Sequence, residues 1–147
     1  MSFLPVTLGI KRISDIACIP KQESAGAACF DLVSTSEGDV PPGCATVFDT
    51  GLVFEIPKGY AMMVYSRSGH GFKNGIRLSN CVGVIDSDYR GEVKVKLQND
   101  SNSAFHVNVG DRIAQAMLVE IPNLHIMELK EVSSTERGTG GFGSTGA

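Results

Sequence analysis

The chain has no surplus of positive charge. Thirteen Lys and Arg stand against sixteen Asp and Glu, a formal net charge of −3, which argues against a nucleic-acid backbone as partner. Any anion it binds must be met by a few placed cations. Arg67, Arg90, Arg112 and Arg137 are the candidates, because each lies beside glycine or in a polar turn. No apolar run approaches the length of a membrane span, so no membrane partner is expected. The first ten residues lack the charged-then-apolar pattern of a secretory signal. The expectation is a protein that is not secreted: cytoplasmic, or in host cytoplasm or nucleus if the chain is viral. Cys18, Cys29, Cys44 and Cys81 form no C-x-x-C pair, which removes the usual zinc spacing and suits free thiols in a reducing compartment. A Walker A string is absent. Gly138-x-Gly140-x-x-Gly143 has dinucleotide-fingerprint spacing, but no strand-then-helix unit follows it. His70, His106 and His125 offer no triad spacing, and His106 is expected to be merely solvated on a strand's polar face.

What the chain has is β patterning. At 147 residues one domain can bury roughly 70% of its unfolded surface. Val93, Val95 and Leu97 alternate with Lys94, Lys96 and Gln98, a half-buried strand. Phe105, Val107 and Val109 alternate in the same way after the polar stretch Asn99 to Ser103, so the two runs read as a hairpin. Leu52, Phe54 and Ile56 alternate with Val53 and Glu55. Tyr60 to Tyr65 alternates little and reads as a strand covered on both faces. Arg112 to Ile121 and His125 to Val132 are also assigned as strands. Turn strings at Glu37-Gly-Asp39, Pro41-Pro-Gly43, Asn74-Gly75 and Pro122-Asn123 punctuate these runs. The fold class is therefore all-β, a small antiparallel barrel or sandwich. The core-forming pattern stops near Ser133, dividing a β domain (1–132) from a glycine-rich tail (133–147).

Three segments have the chemistry of a site, each beside a plainer reading. The tail, Arg137-Gly-Thr-Gly-Gly-Phe-Gly-Ser-Thr-Gly146, combines one cation, one aromatic ring and two hydroxyls on glycine-rich backbone. Such a strap suits a lid over a phosphorylated, ring-bearing ligand, or is simply a terminus without order. Ser66-Arg-Ser-Gly-His-Gly71 is either a backbone cradle for an anion or a surface loop. Val82-Gly-Val-Ile85 runs into Asp86-Ser-Asp-Tyr-Arg-Gly91, a turn whose carboxylate could take a proton from water or merely cap the turn.

Together these strings resemble the trimeric dUTP pyrophosphatase family, in the family's order, from Ala25 to Gly146. Ala25-Gly-Ala-Ala-Cys-Phe-Asp-Leu32 looks like its first motif and Arg67-Ser-Gly69 like its second. Asn80 and Gly83-Val-Ile-Asp-Ser-Asp-Tyr-Arg-Gly91 look like the third, Gly110-Asp-Arg-Ile-Ala-Gln115 like the fourth, and the tail like the fifth. The resemblance implies a jelly-roll-type β-barrel subunit with a flexible tail, a homotrimer, and hydrolysis of dUTP to dUMP and pyrophosphate. It implies Mg²⁺ carried on the substrate triphosphate and water, with no direct protein ligand, and water attack on the α-phosphorus aided by Asp86. Arg67, Ser68, Gly69 and Gln115 would hold phosphate. Asn80, Gly83, Val84, Ile85 and the backbone of Lys94 would read uracil, with the charge of Lys94 solvated. Tyr89 would pack under deoxyribose. Arg137, Phe142, Gly143, Ser144 and Thr145 would close the site, the tail crossing to a neighbouring subunit. Asp31 and Arg112 would form a supporting ion pair.

Three positions depart from the family pattern and bear on loop packing: Ser66 where proline is common, His70-Gly71-Phe72 after the second motif, and Cys29 where glycine is common. Two rival readings stand beside hydrolysis. One is a dCTP deaminase-type or bifunctional enzyme of the same fold, for which Glu92 is the nearest acid. The other is a trimeric β module with a regulatory binding role.

Overall fold

The computed structural model describes residues 5–143. Ten strands and one short helix are present among them: β1 (Gly9–Arg12), β2 (Phe30–Val33), β3 (Gly38–Val40), β4 (Ala45–Glu55), β5 (Tyr60–Tyr65), α1 (Ser68–Asn74), β6 (Ile76–Leu78), β7 (Val82–Ile85), β8 (Glu92–Asn99), β9 (Phe105–Val107) and β10 (Arg112–Glu120). One four-stranded sheet has the order β1-β4-β8-β6, the other β2-β10-β5-β7, and β3 pairs with β9 as a two-stranded ribbon. All pairings are antiparallel. No helix among the described residues is long and apolar enough to cross a membrane.

The core lies between the two four-stranded sheets. Phe48, Leu52 and Phe54 of β4 and Val93, Val95 and Leu97 of β8 pack with Leu32, Met62, Val64, Ile113, Ala114 and Ala116 of the other sheet. Full burial of each large side chain contributes roughly 1.5–3 kcal/mol. The alternation in β8 holds: Val93, Val95 and Leu97 are buried, while Lys94 and Lys96 are exposed. β5 sits inside its sheet between β10 and β7, and its Ala61, Met62 and Val64 are buried. That interior position accounts for its nearly continuous apolar run.

Three sequence expectations about secondary structure fail. First, β8 and β9 do not form a hairpin, since β8 pairs with β4 and β6 while β9 pairs with β3. Asn99 redirects the chain. It is fully buried, its Nδ2 donates to the carbonyls of Val40 and Ser103, and its Oδ1 accepts from Ser101 N and Oγ. Alternation reports which residues share a face but not which strand lies alongside. Second, residues 125–132 contain no strand. β10 ends at Glu120, the Ile121 amide donates to Gly59 O at 2.7 Å, and Pro122 then interrupts the ladder by lacking a donor. Leu124, Ile126 and Leu129 beyond it are exposed. Third, residues 68–74 form about two turns of helix rather than a bare loop. Gly75 ends it in the left-handed conformation, φ 65°, with its amide on the Gly71 and His70 carbonyls, a geometry open to glycine without a Cβ penalty.

Candidate functional site

The first assembly of polar groups forms where β5 runs into α1 beside β2 and β10. Register places Asp31, Gln115 and Tyr65 in one row across the sheet, and Arg67 follows two residues after Tyr65. The Asp31 carboxylate receives Arg67 Nε at 3.0 Å on Oδ1 and Arg112 Nη1 at 3.3 Å on Oδ2. The expected Asp31–Arg112 pair is thus a three-member bridge that also fixes Arg67. Gln115 Nε2 donates to the Ser66 carbonyl at 2.9 Å. Ser66 Oγ accepts the Leu78 amide at 2.8 Å, a bond that proline at this position would not make. Ser68 and Gly69, next along the loop, are exposed. Burial, then the Asp31 charge, pushes the Cys29 thiol above its ordinary range, which disfavours the reactive thiolate there.

The second assembly surrounds a cavity between β7 and β8. β7 hydrogen-bonds to β5 along one edge and, among the described residues, has no strand on the other. Across the gap lies β8, and the space of about 400 Å³ between them is lined by Asn80, Gly83, Ile85, Val93 and Lys94 among others. A free strand edge presents backbone donors and acceptors at fixed spacing. Val84, the remaining predicted residue of β7, points outward and is 60% exposed. The turn that follows keeps Asp86 exposed. Its carbonyl accepts the Tyr89 amide at 3.2 Å, and Tyr89 Oη donates to the Glu92 carbonyl at 3.1 Å. The Tyr89 ring lies directly over Gly91, where any Cβ would collide with its Oη and Cζ. Gly91 is therefore what lets this ring lie against the turn.

Two charges expected to be solvated are paired instead. Lys94 Nζ lies 2.8 Å from Asp49 and 3.3 Å from Glu92, and these partners, Asp49 first, raise its pKa. His106 Nδ1 lies 2.7 Å from Asp39 Oδ1, which raises the imidazole pKa. Asp49 and Asp39 come from other strands, so position along the chain did not reveal them, whereas Glu92 lies two residues before Lys94 on β8.

The described part of the tail, to Gly143, closes on itself rather than on the β domain. Arg137 Nε donates to Gly140 O at 2.8 Å and Gly140 N to Arg137 O at 3.0 Å, a small turn closed on itself. Phe142 is fully exposed at φ 50° and Gly143 stands at φ 85°. Ser144 and Thr145 lie outside the described residues. Among the described residues, no three His, Cys, Asp or Glu side chains are grouped to hold a metal ion.

A family model described as dUTPase matches residues 15–146. The chain belongs to the dUTPase family. It is 48% identical over 139 residues to the deoxyuridine 5'-triphosphate nucleotidohydrolase of Nautilia profundicola, covering 95% of this chain and 98% of that relative. It is 44% identical over 148 residues to the protein of the same name from Rhizobium etli, covering 97% and 95%. The dUTPase of Staphylococcus bacteriophage 80alpha, solved with dUpNHpp, superposes with a TM-score of 0.89 at 27% identity, covering 96% of this chain and 99% of that one. The jelly-roll-type β subunit expected from the sequence is the fold this dUTPase-family chain adopts.

Within one subunit the dUTPase motifs fall in two separate places. Asp31, Arg67, Arg112 and Gln115 come together at one end of β5. Asp86 is at the other end, because Tyr65 pairs with Val82 whereas Met62 pairs with Ile85. Arg67 lies beyond the first pair and Asp86 beyond the second, so strand rise separates them by roughly 15–20 Å. The sequence reading also missed His70. Its Nε2 lies 2.8 Å from the Arg112 carbonyl and its ring meets Phe105 edge-on, centroids 5.2 Å apart. Its place in the Ser66-to-Gly71 string and the departure at His70-Gly71-Phe72 were the signals along the chain that pointed to it.

Proposed function

We propose that the protein hydrolyses dUTP to dUMP and pyrophosphate, working as a homotrimer whose sites combine residues of different subunits. The observation that carries the shared site is the separation of Arg67 from Asp86 along β5 and β7. A triphosphate held at Arg67, Ser68, Gly69 and Gln115 cannot also lie against the Asp86 of the same chain. A neighbouring copy must supply one half. Phosphoryl chemistry suits this division, because it depends on positioning and charge stabilisation rather than on one covalent centre.

In this reading, uracil enters the cavity between β7 and β8. The free edge of β7 around Gly83, Val84 and Ile85, together with Asn80 and the Lys94 backbone, presents one fixed order of donors and acceptors. Cytosine would leave buried groups unpaired, at a cost of about 1–3 kcal/mol each. In the same reading the hairpin around Val82 to Ile85 closes against the base and excludes a thymine methyl. Tyr89, held against Gly91, packs under deoxyribose and excludes a 2′-hydroxyl. Asp86 orients a water and takes its proton as the oxygen bonds to the α-phosphorus. The bond to the bridging oxygen then breaks and pyrophosphate leaves. The donor set suits Mg²⁺ brought in on triphosphate oxygens and water rather than held in a protein cage. When bound there, Mg²⁺ neutralises phosphate charge. Residues 133–147 act as the lid on the β domain 1–132, with Arg137, Gly143, Ser144 and Thr145 on the terminal phosphates and Phe142 over uracil.

The deaminase reading is disfavoured by the partners of Glu92. Its Oε1 accepts the Gly51 amide at 2.8 Å and its Oε2 meets Lys94, which leaves no free acid at that position. A purely binding module would not need Asp86 at all. The deciding experiment measures pyrophosphate release from dUTP, dCTP, dTTP and UTP side by side. Release confined to dUTP is the expected outcome, and comparable rates on dCTP or UTP would overturn the specificity assigned to the β7–β8 cavity.

A further inference from the structure

The seven-residue helix α1 has no buried residue and no side-chain cap on its first turn. A helix this short does not sustain itself in water, so contacts with the barrel must hold it. At its C-terminal end the Asp100 amide donates to Gly75 O at 2.9 Å. Near its start, His70 is the side chain that reaches across. Its Nε2 bonds the Arg112 carbonyl of β10 at 2.8 Å, and its ring packs edge-on against Phe105 of β9. A carbonyl oxygen only accepts, so Nε2 carries the hydrogen. Arg67 Nη1 reaches the same carbonyl at 3.4 Å. Residues 66–70 are thus tied to β10 three times, by Gln115 to the Ser66 carbonyl, and by His70 and, at longer range, Arg67 to the Arg112 carbonyl.

We propose that His70 is a positioning residue that sets the spacing between the loop donors Arg67, Ser68 and Gly69 and the β10 donor Gln115, and so the fit to a triphosphate. It acts through the loop and does not itself touch the reacting atoms. The inference rests on the triphosphate assignment above. Its content is narrower: loss of the His70 tie weakens polyphosphate binding selectively.

The test compares the full-length parent with His70→Leu, which keeps apolar contact with Phe105 but has no donor, and His70→Gln, whose Nε2 donates from nearly the same place. Each is titrated with inorganic tripolyphosphate and with dUMP, and assayed on dUTP. For His70→Leu, tripolyphosphate affinity falls about fivefold and KM for dUTP rises similarly, the size of one lost hydrogen bond. The dUMP affinity and the melting midpoint stay near the parent, and His70→Gln recovers most of the loss. Unchanged tripolyphosphate affinity in His70→Leu, an equal loss for dUMP, or failure of glutamine to rescue overturns the proposal. A parent that binds tripolyphosphate without hydrolysing dUTP would sink the enzymatic reading alone, and the binding comparison would still decide the role of His70.

Discussion

The two halves of the proposed site are built in opposite ways. Around Asp31 the side chains are saturated with each other: two arginines on one carboxylate, Gln115 on Ser66, and His70 on the Arg112 carbonyl. Around Asp86 the backbone is ordered by the Tyr89 turn and by Gly91, but the carboxylate itself projects outward. The difference teaches what each half needs. Donors for a polyanion must be pre-positioned against mutual repulsion, and the shared Asp31 charge does this. A general base needs reach and a free lone pair. An exposed turn supplies both, provided another surface closes over it.

The contrast can be broken most strongly at Asp86. Asp86→Asn should reduce turnover about 10³-fold, within the usual range for a lost general base, while dUTP-analogue binding persists. Steady-state pyrophosphate release with a parallel binding titration checks this, and turnover near the parent rate would refute the assigned role. The division between subunits is tested by mixing. Asp86→Asn and Arg67→Ala are each expected to be nearly inactive. Unfolded together in equal amounts and reassembled at random, they should regain about a quarter of the parent sites, since each site then draws its two halves from different copies. No recovery in a properly reassembled mixture would place both halves in one chain.

A smaller effect sharpens the Asp86 half. Gly91→Ala puts a Cβ against the Tyr89 ring and should displace it, lowering the preference for dUTP over UTP about tenfold, as loss of a steric and hydrogen-bonding discriminator does. Relative kcat/KM on the two nucleotides reads this, and an unchanged ratio would free Tyr89 from the sugar. The smallest effect lies outside both halves. Asp39 raises the pKa of His106, so their bond stabilises the fold fully below the ordinary imidazole pKa of about 6.5. That contribution fades as pH rises through the raised folded value. The melting-midpoint difference between the parent and Asp39→Asn should therefore be largest in mild acid and shrink towards alkaline pH. A difference independent of pH would show that the pair does not act through protonation.

Much of this was legible along the chain because it is local. The string from Gly83 to Gly91 contains its own turn, its carboxylate and the glycine that admits the tyrosine ring. Alternation in β8 and the apolar run of β5 identified buried faces correctly. The illegible parts depend on partners distant in sequence. Nothing in Asn99 to Ser103 states that β9 will leave β8 for β3, because the redirecting bonds run from the Asn99 side chain to Val40. Lys94 read as solvated until Asp49 lay beside it. His70 read as an odd residue in a loop until Arg112 and Phe105 were folded against it.

By itself the sequence determined the family and the all-β class, and it supplied the carboxylate and the phosphate donors proposed for the site, since short motifs and two-residue periodicity are properties of neighbouring residues. The tertiary structure alone decided how those groups are distributed. Strand register sends Arg67 and Asp86 to opposite ends of one sheet, and register is set by side-chain packing across strands rather than by any residue along them.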